Sequence, residues 1–139
     1  MNKRKFRIVT DSGCDLSEEY LQRNDIALVN LGVILDEVDY FGDDGNKISI
    51  SDFYARLRAG ALPTTYQITP EKAKECLLPY LTAEEDVLVV AFSSGLSGTV
   101  GSFFVAQKEL IKEYPERQIT RSFLPYLTIR FRERQRALA

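Results

Sequence analysis

The chain has 139 residues, of which 45% are hydrophobic, and its 18 basic and 20 acidic side chains give a formal net charge of -2. This length predicts one domain with a core of its own, and it is short for a two-domain ligand-binding cleft. The charge balance provides no general attraction to nucleic acid or to an anionic membrane. Histidine is absent, which excludes Ser-His-Asp and Cys-His catalysis and the zinc sites that depend on imidazole.

The sequence predicts a soluble, cytoplasmic protein. Its basic N-terminus, residues 1–5, precedes an apolar stretch that Arg7 and Asp11 interrupt, unlike the continuous apolar region of a signal peptide. The longest strongly apolar run, residues 87–92, is far below the ~20 residues that a membrane span needs. Cys14 and Cys76 belong to no C-x-x-C pattern, so we expect free thiols rather than a disulfide.

The first half of the chain predicts two strands, a short helix and a β-ribbon. Residues 6–10 are typical of a strand, followed by a loop and by a helix that begins near Ser17. Residues 26–35 predict a second strand, and residues 38–41 continue into a ribbon that ends at a turn at residues 43–46. The acidic side chains around this turn lack the ligand spacing of an EF-hand, so we predict no metal site.

The second half predicts three helices and a central strand. One helix begins near Ser49 and ends near Gly60, and another begins with Thr69 and Pro70 and runs to about Leu81. The continuous apolar run at residues 87–92 indicates a central parallel strand with helices on both faces. The last helix ends at Pro115, and its predicted apolar stripe consists of Val100, Phe103, Phe104, Leu110, Ile111 and Tyr114. This order predicts an α/β fold: a layered, mainly parallel sheet with helices on both faces.

The last residues differ from the rest. Five arginines, one glutamate and no lysine lie between Arg121 and Ala139. A strand is expected to begin at Gln118, but we predict that residues 121–125 interrupt it. We therefore divide the chain into a domain at residues 1–118 and an atypical Arg-rich tail at residues 119–139. A basic nucleic-acid-binding tail is an alternative to the solvated terminus that we favour.

Two polar loops are candidates for ligand binding, because ligands of parallel α/β sheets bind beyond the carboxyl ends of the strands. Asp11 and Ser12 follow the first strand, and the stretch at residues 93–99 follows the central one. The second loop opens a helix, whose free N–H groups favour an anion. Its predicted contributors are hydroxyl donors and small residues that let a ligand approach the backbone: Ser94, Gly95, Ser97, Gly98 and Thr99.

Alternatives to ligand binding remain open at this loop. Ser97 is also suited to cap the helix, with the glycines forming a tight turn. The loop has neither the lysine of a Walker A motif nor the G-x-G-x-x-G pattern of a dinucleotide fold. A domain that binds or transforms a small phosphorylated ligand is the second hypothesis.

Four motifs occur in an order that resembles the DegV family of bacterial fatty-acid-binding proteins. They are Thr10-Asp11-Ser12 with Asp15-Leu16, Phe53-Tyr54, Pro63-Thr64-Thr65-Tyr66-Gln67, and Ser93-Ser94-Gly95-Leu96-Ser97-Gly98-Thr99. The resemblance covers about residues 5–118. It implies a non-catalytic protein that needs no cofactor, binds one long-chain fatty acid and presents it to a separate fatty acid kinase catalytic subunit.

The resemblance also implies roles for particular residues. Thr65 and Ser97 are expected to contact the carboxylate, with Ser94 and Thr64 as secondary contacts and with Asp11 and Ser12 shaping the neighbouring loop. The chain departs from the family pattern at Tyr66-Gln67-Ile68, where Ser-Gln-Pro is usual. Family members are also much longer, with a second domain that closes over the ligand. We therefore expect a truncated or frame-shifted product that binds lipid weakly and forms homo-oligomers through exposed apolar surface.

Overall fold

The fold alternates strands and helices, as the sequence predicts. The computed structural model describes residues 6–42, 45–92 and 97–124, and of residues 121–124 it describes the backbone alone. In chain order the elements are β1 (Phe6–Asp11), α1 (Glu18–Arg23), β2 (Ile26–Val29), β3 (Gly32–Leu35), β4 (Val38–Tyr40), α2 (Ile50–Arg58), β5 (Thr64–Tyr66), α3 (Pro70–Thr82), β6 (Asp86–Phe92), α4 (Thr99–Glu113) and β7 (Ile119–Leu124). The predicted turn at residues 43–46 and the tail from residue 125 lie partly or wholly outside these residues.

A four-stranded parallel sheet forms the centre of the domain, with the strand order β2-β1-β6-β7. The step from β1 to β2 and the step from β6 to β7 run in opposite directions along this order. Because crossovers between parallel strands are right-handed, α1 and α4 lie on opposite faces of the sheet. The mainly parallel α/β fold with helices on both faces is confirmed.

The main core lies between the sheet and the pair α3 and α4, which pack against each other. Along β6, Val87, Val89 and Ala91 are buried in this core, whereas Leu88 and Val90 point to the other face and are only half-buried. The continuous apolar run therefore predicted the strand correctly, but the second face is less completely covered than we expected.

The helix starts follow the predicted capping residues. Side-chain oxygens of Ser17, Ser49 and Thr69 accept backbone N–H groups three residues later, at the first turns of α1, α2 and α3. These contacts satisfy donors that a helix start leaves free.

The predicted apolar stripe of α4 is too wide, because Phe104 and Ile111 are 38% and 45% exposed. They face away from α3 and the sheet.

A second sheet of three antiparallel strands has the order β4-β3-β5. Two predictions are wrong here. Residues 26–35 form two strands in different sheets, since the chain leaves the parallel sheet after Val29 and enters the ribbon at Gly32. The segment between the helices predicted to end near Gly60 and to begin at Thr69 was assigned no strand, but it contains β5, which pairs with β3 through Gly32↔Tyr66 and Val33↔Thr65. A strand of three polar or aromatic residues has too few positions to show a periodicity.

The strand β7 is longer than the sequence suggested. The prediction that residues 121–125 interrupt it is wrong, because β7 runs from Ile119 to Leu124 and pairs with β6 through to Phe92↔Leu124. Backbone hydrogen bonding along the edge of β6 does not depend on side-chain type, which explains why arginine at this position does not end the strand. The domain boundary at residue 118 stays a prediction.

Candidate functional site

Asp11 connects the ends of the two central strands. Its side chain is 1% exposed, and its Oδ2 accepts the Phe92 N–H at 2.7 Å while its Oδ1 accepts the Gly13 N–H at 2.8 Å. Both carboxylate oxygens therefore bind backbone at the end of β1 and the end of β6. An anionic side chain with both oxygens engaged is suited to shape these loops rather than to contact an anionic ligand.

Ser12 makes the next connection. Its Oγ accepts the Leu31 N–H at 3.0 Å, which joins the turn after β1 to the segment between β2 and β3. Asp11 and Ser12 thus fix three neighbouring loops at the carboxyl edge of the parallel sheet, the edge at which ligands of such sheets bind.

The start of α4 contains a compact pair of hydroxyl groups. Ser97 Oγ donates to Thr99 Oγ1 at 3.0 Å and accepts the Thr99 N–H at 3.2 Å. Thr99 is fully buried, and its Oγ1 also accepts the Ile68 N–H at 3.4 Å. The segment that follows β5 is therefore in direct contact with the first residues of α4.

Gly98 has a local packing reason as well as its predicted role. A Cβ atom at this position would lie 1.7 Å from Gln67 Oε1, so only glycine is compatible with the observed position of the Gln67 side chain. Gln67 was not among the predicted site residues. The sequence feature that could have indicated Gln67 is its position close to Thr65, just before the apolar Ile68. The predicted role of Gly98 in ligand approach stays a prediction.

Thr64 and Thr65 do not point in the same direction. Successive residues of a strand point to opposite faces, and the register places Thr65 opposite Val33, whose other neighbour is Tyr40, whereas Thr64 lies opposite Ile34. Leu35 and Tyr40, on the Thr65 face, are buried. Both threonines are exposed. The structure thus brings the strand that carries Thr65 to the segment that contacts α4, but Thr64 and Thr65 cannot act as neighbours on one face.

Two predicted site residues, Ser94 and Gly95, lie outside the described residues. Those that the structure places together are Asp11 and Ser12 at one group of strand ends, and Ser97 and Gly98 at the start of α4. The carboxylate-binding roles of Thr65 and Ser97 stay predictions.

A cavity of about 360 Å³ is lined by other residues and lies between the end of β2, the segment after β4 and α3. No sequence motif indicated it. Its lining includes Leu28, Phe41, Lys47, Lys72 and Cys76. Burial raises the pKa of the Cys76 thiol to about 11, with nearby Lys72 acting in the opposite direction. Cys76 is therefore a protonated thiol at neutral pH, and both Cys14 and Cys76 are free.

The described segments contain neither a metal-binding cluster nor a membrane-spanning helix. Within residues 6–42, 45–92 and 97–124, no group of acidic, cysteine or histidine side chains is arranged to hold a metal ion. Among the helices of those same segments, none has the length and apolarity to cross a membrane.

The sequence matches the family model described as "Uncharacterised protein, DegV family" over residues 5–121. A DegV domain-containing protein of Clostridium perfringens is 34% identical over 116 residues, which are 84% of this chain and 40% of the relative. A fatty acid-binding protein of Thermotoga maritima is 35% identical over 108 residues, 76% of this chain and 38% of the relative.

Solved structures with a similar fold agree with these matches. A stearic acid-binding protein from Eubacterium ventriosum has a TM-score of 0.75 at 28% identity, over 84% of this chain and 40% of that one. A fatty-acid-binding DegV family protein from Thermus thermophilus has a TM-score of 0.68 at 31% identity, over 86% of this chain and 40% of that one. The chain thus spans about 40% of the length of these relatives.

Proposed function

Because the chain belongs to the DegV family, we propose that it binds the carboxylate of a long-chain fatty acid at the start of α4. The observation that carries this proposal is the contact between the segment after β5 and α4, made by the Ile68 N–H and Thr99 Oγ1. This contact places two hydroxyl-bearing segments beside one helix start. Relatives over the same region are fatty-acid-binding proteins.

The chemistry of this helix start suits a carboxylate. Ser97 and Thr65 supply hydroxyl donors, and hydrogen bonds to a charged acceptor are stronger than those between neutral groups. The dipole of α4 adds favourable electrostatics. The backbone N–H groups of Thr99, Gly101 and Ser102 already have acceptors, so the hydroxyl groups carry the direct contacts in this proposal. Residues 63–69 and 97–103 contain no lysine or arginine. A monoanion is therefore a better match than a phosphate dianion, which makes the second hypothesis, a phosphorylated ligand, the weaker one.

The acyl chain provides most of the binding energy in this proposal. Each buried methylene contributes ~0.8 kcal/mol, provided that the chain is enclosed. The relatives contain a further region that this chain does not match. We therefore propose that these 139 residues bind lipid weakly and self-associate through apolar side chains that are strongly exposed, namely Phe6, Ile50 and Leu62.

We further propose a carrier role. The fatty acid bound at α4 is presented to a separate kinase catalytic subunit in the cytoplasm, which phosphorylates the carboxylate, and this chain contributes binding rather than catalysis. The hydroxyl contacts of the site require no cofactor. Free Cys14 and Cys76 agree with a reducing compartment.

Native mass spectrometry of the purified chain, followed by denaturing release of any bound molecule, tests the proposal. We expect a long-chain fatty acid whose occupancy falls in Ser97→Ala and is unchanged in the control Ser51→Ala, since Ser51 is exposed at the start of α2. A phosphorylated small molecule in place of a fatty acid would support the second hypothesis. A chain that remains empty after incubation with stearate would refute fatty acid binding.

A further inference from the structure

Thr99 connects the two segments of the proposed site although it cannot contact solvent. Its side chain is 0% exposed, so a ligand in an open site does not reach it directly. We propose that Thr99 is a positioning residue: its buried hydroxyl orients Ser97 and allows the Ser97 proton to be donated to the ligand carboxylate. This inference rests on the proposed function.

The hydrogen bonds around Thr99 use its oxygen fully as an acceptor. A hydroxyl group has one proton and two lone pairs. Thr99 Oγ1 accepts the Ile68 N–H and the Ser97 hydroxyl proton, which uses both of its lone pairs. In the part of the chain that the structure describes, the Thr99 proton has no acceptor in this arrangement. The Ser97 proton is meanwhile occupied by Thr99 and is not available to a ligand.

Reversing the hydrogen bond between the two hydroxyls satisfies every group when a carboxylate is present. Thr99 then donates to Ser97 Oγ, which also accepts the Thr99 N–H, and the Ser97 proton points to the carboxylate. Thr99 Oγ1 still accepts the Ile68 N–H. In the structure the two oxygens lie 3.0 Å apart with Ser97 in the donor geometry. The reversal therefore needs a small rotation of the Thr99 or Ser97 side chain together with rotation of both hydroxyl protons.

The same buried hydroxyl couples the segment that carries Thr65 to the helix start. The Ile68 N–H donates to Thr99 Oγ1 and so attaches the end of that segment to α4. The preceding residues of both segments are also in contact, because the Gln67 side chain lies over Gly98. Because chains of hydrogen bonds polarise one another in a buried setting, Thr99 is expected to strengthen the bond from Ser97 to a charged ligand as well as to hold it in place.

The test compares the stearate affinity of Thr99→Val, Thr99→Ser and the control Thr82→Val, measured by fluorescence competition. Thermal unfolding of each variant shows whether its fold is retained. Valine keeps the shape of threonine but removes the hydroxyl, and serine retains it. We expect Thr99→Val to bind stearate roughly tenfold more weakly. Thr99→Ser and Thr82→Val should stay within about twofold of the unmodified chain, since Thr82 lies at the end of α3 and bonds Leu78 O.

A double-mutant cycle separates positioning from a general effect on the fold. If Thr99 acts mainly through Ser97, adding Thr99→Val to Ser97→Ala lowers stearate affinity much less than the roughly tenfold loss in the unmodified background. The remainder reflects the lost Ile68 N–H contact that holds the segment carrying Thr65. The inference is overturned if Thr99→Val binds like the unmodified chain, if Thr99→Ser fails to restore affinity, or if the loss is equally large in the Ser97→Ala background. An unmodified chain that does not bind stearate would refute the proposed function itself, and this inference with it.

Discussion

Tyr66 lies directly over Gly32 in the antiparallel ribbon. A Cβ atom added at Gly32 would be 1.9 Å from Tyr66 Cζ, and the Tyr66 hydroxyl donates to the Asp39 carboxylate at 2.9 Å. The aromatic ring thus covers the gap that a glycine leaves in a strand and holds β5 against β3 and β4.

The first prediction concerns this contact. Gly32→Ala forces the Tyr66 ring away from its position and should lower the free energy of unfolding by about 1–3 kcal/mol. The control is Gly101→Ala, because nothing lies within 4 Å of a Cβ there. Gly101 is exposed within α4, so alanine should raise stability by about 0.5–1 kcal/mol. Urea unfolding of both variants measures the difference, and equal effects of the two substitutions would contradict the account.

The second prediction concerns Asp11. Asp11→Asn leaves one carbonyl oxygen where two carboxylate oxygens accept the Gly13 and Phe92 N–H groups. One buried N–H then faces an amide NH₂, and we expect a loss of about 2–4 kcal/mol in the free energy of unfolding. Asp15→Asn is the matched control, because Asp15 is exposed in a left-handed conformation that asparagine tolerates. Its effect should stay within about 0.5 kcal/mol. Similar chemical denaturation midpoints for Asp11→Asn and the unmodified chain would refute the bridging role.

The third prediction is a pH dependence from Cys76. Burial raises the pKa of this thiol from 9.0 to about 11, so the folded state holds the proton more tightly than the unfolded state. The protonated Cys76 thiol therefore makes a contribution to the free energy of unfolding that is fully present below pH 9 and is lost as the pH rises towards 11. Between pH 8.5 and 10 the unmodified chain should therefore lose about 1 kcal/mol more stability than Cys76→Val does. The free energy of unfolding of both proteins is measured against pH by denaturant titration monitored with circular dichroism. If it falls equally in both proteins over this range, the thiol is not desolvated in the folded state.

The fourth prediction separates two adjacent threonines. Thr65→Val removes a hydroxyl from the ribbon face shared with Val33 and Tyr40, whereas Thr64→Val alters the opposite face. If Thr65 contacts the carboxylate, its variant should weaken stearate binding roughly tenfold and Thr64→Val by less than about twofold. Isothermal titration with both variants measures this ratio. A larger loss of affinity in Thr64→Val would assign the carboxylate contact to Thr64 instead of Thr65.

The sequence predicted the parallel sheet and most helix starts because those signals are local. The apolar run of β6 and the capping residues Ser17, Ser49 and Thr69 each act within a few positions of one another. The ribbon depends instead on contacts between distant residues. Tyr66 stabilises β5 only because Gly32 leaves space for its ring, and no pattern within residues 63–68 contains that information.

The candidate site shows the same division. The resemblance selected Ser97 and Thr65 from local motifs, but Thr99 and Gln67 emerge as connecting residues only once α4 and the segment after β5 are in contact. The break predicted at Arg121 failed for a related reason. The side chains of residues 119–124 did not indicate a continuous strand, because this strand forms through backbone hydrogen bonds to the edge of β6.

Fatty acid binding at the start of α4 is tested most directly by NMR of the isotope-labelled chain during titration with stearate. We expect the amide signals of Ser97, Gly98 and Thr99, together with that of Thr65, to shift with a common dissociation constant. The contradicting result is a set of shifts confined to the cavity lined by Leu28, Phe41 and Cys76, or elsewhere in the domain, with the signals at the start of α4 unchanged.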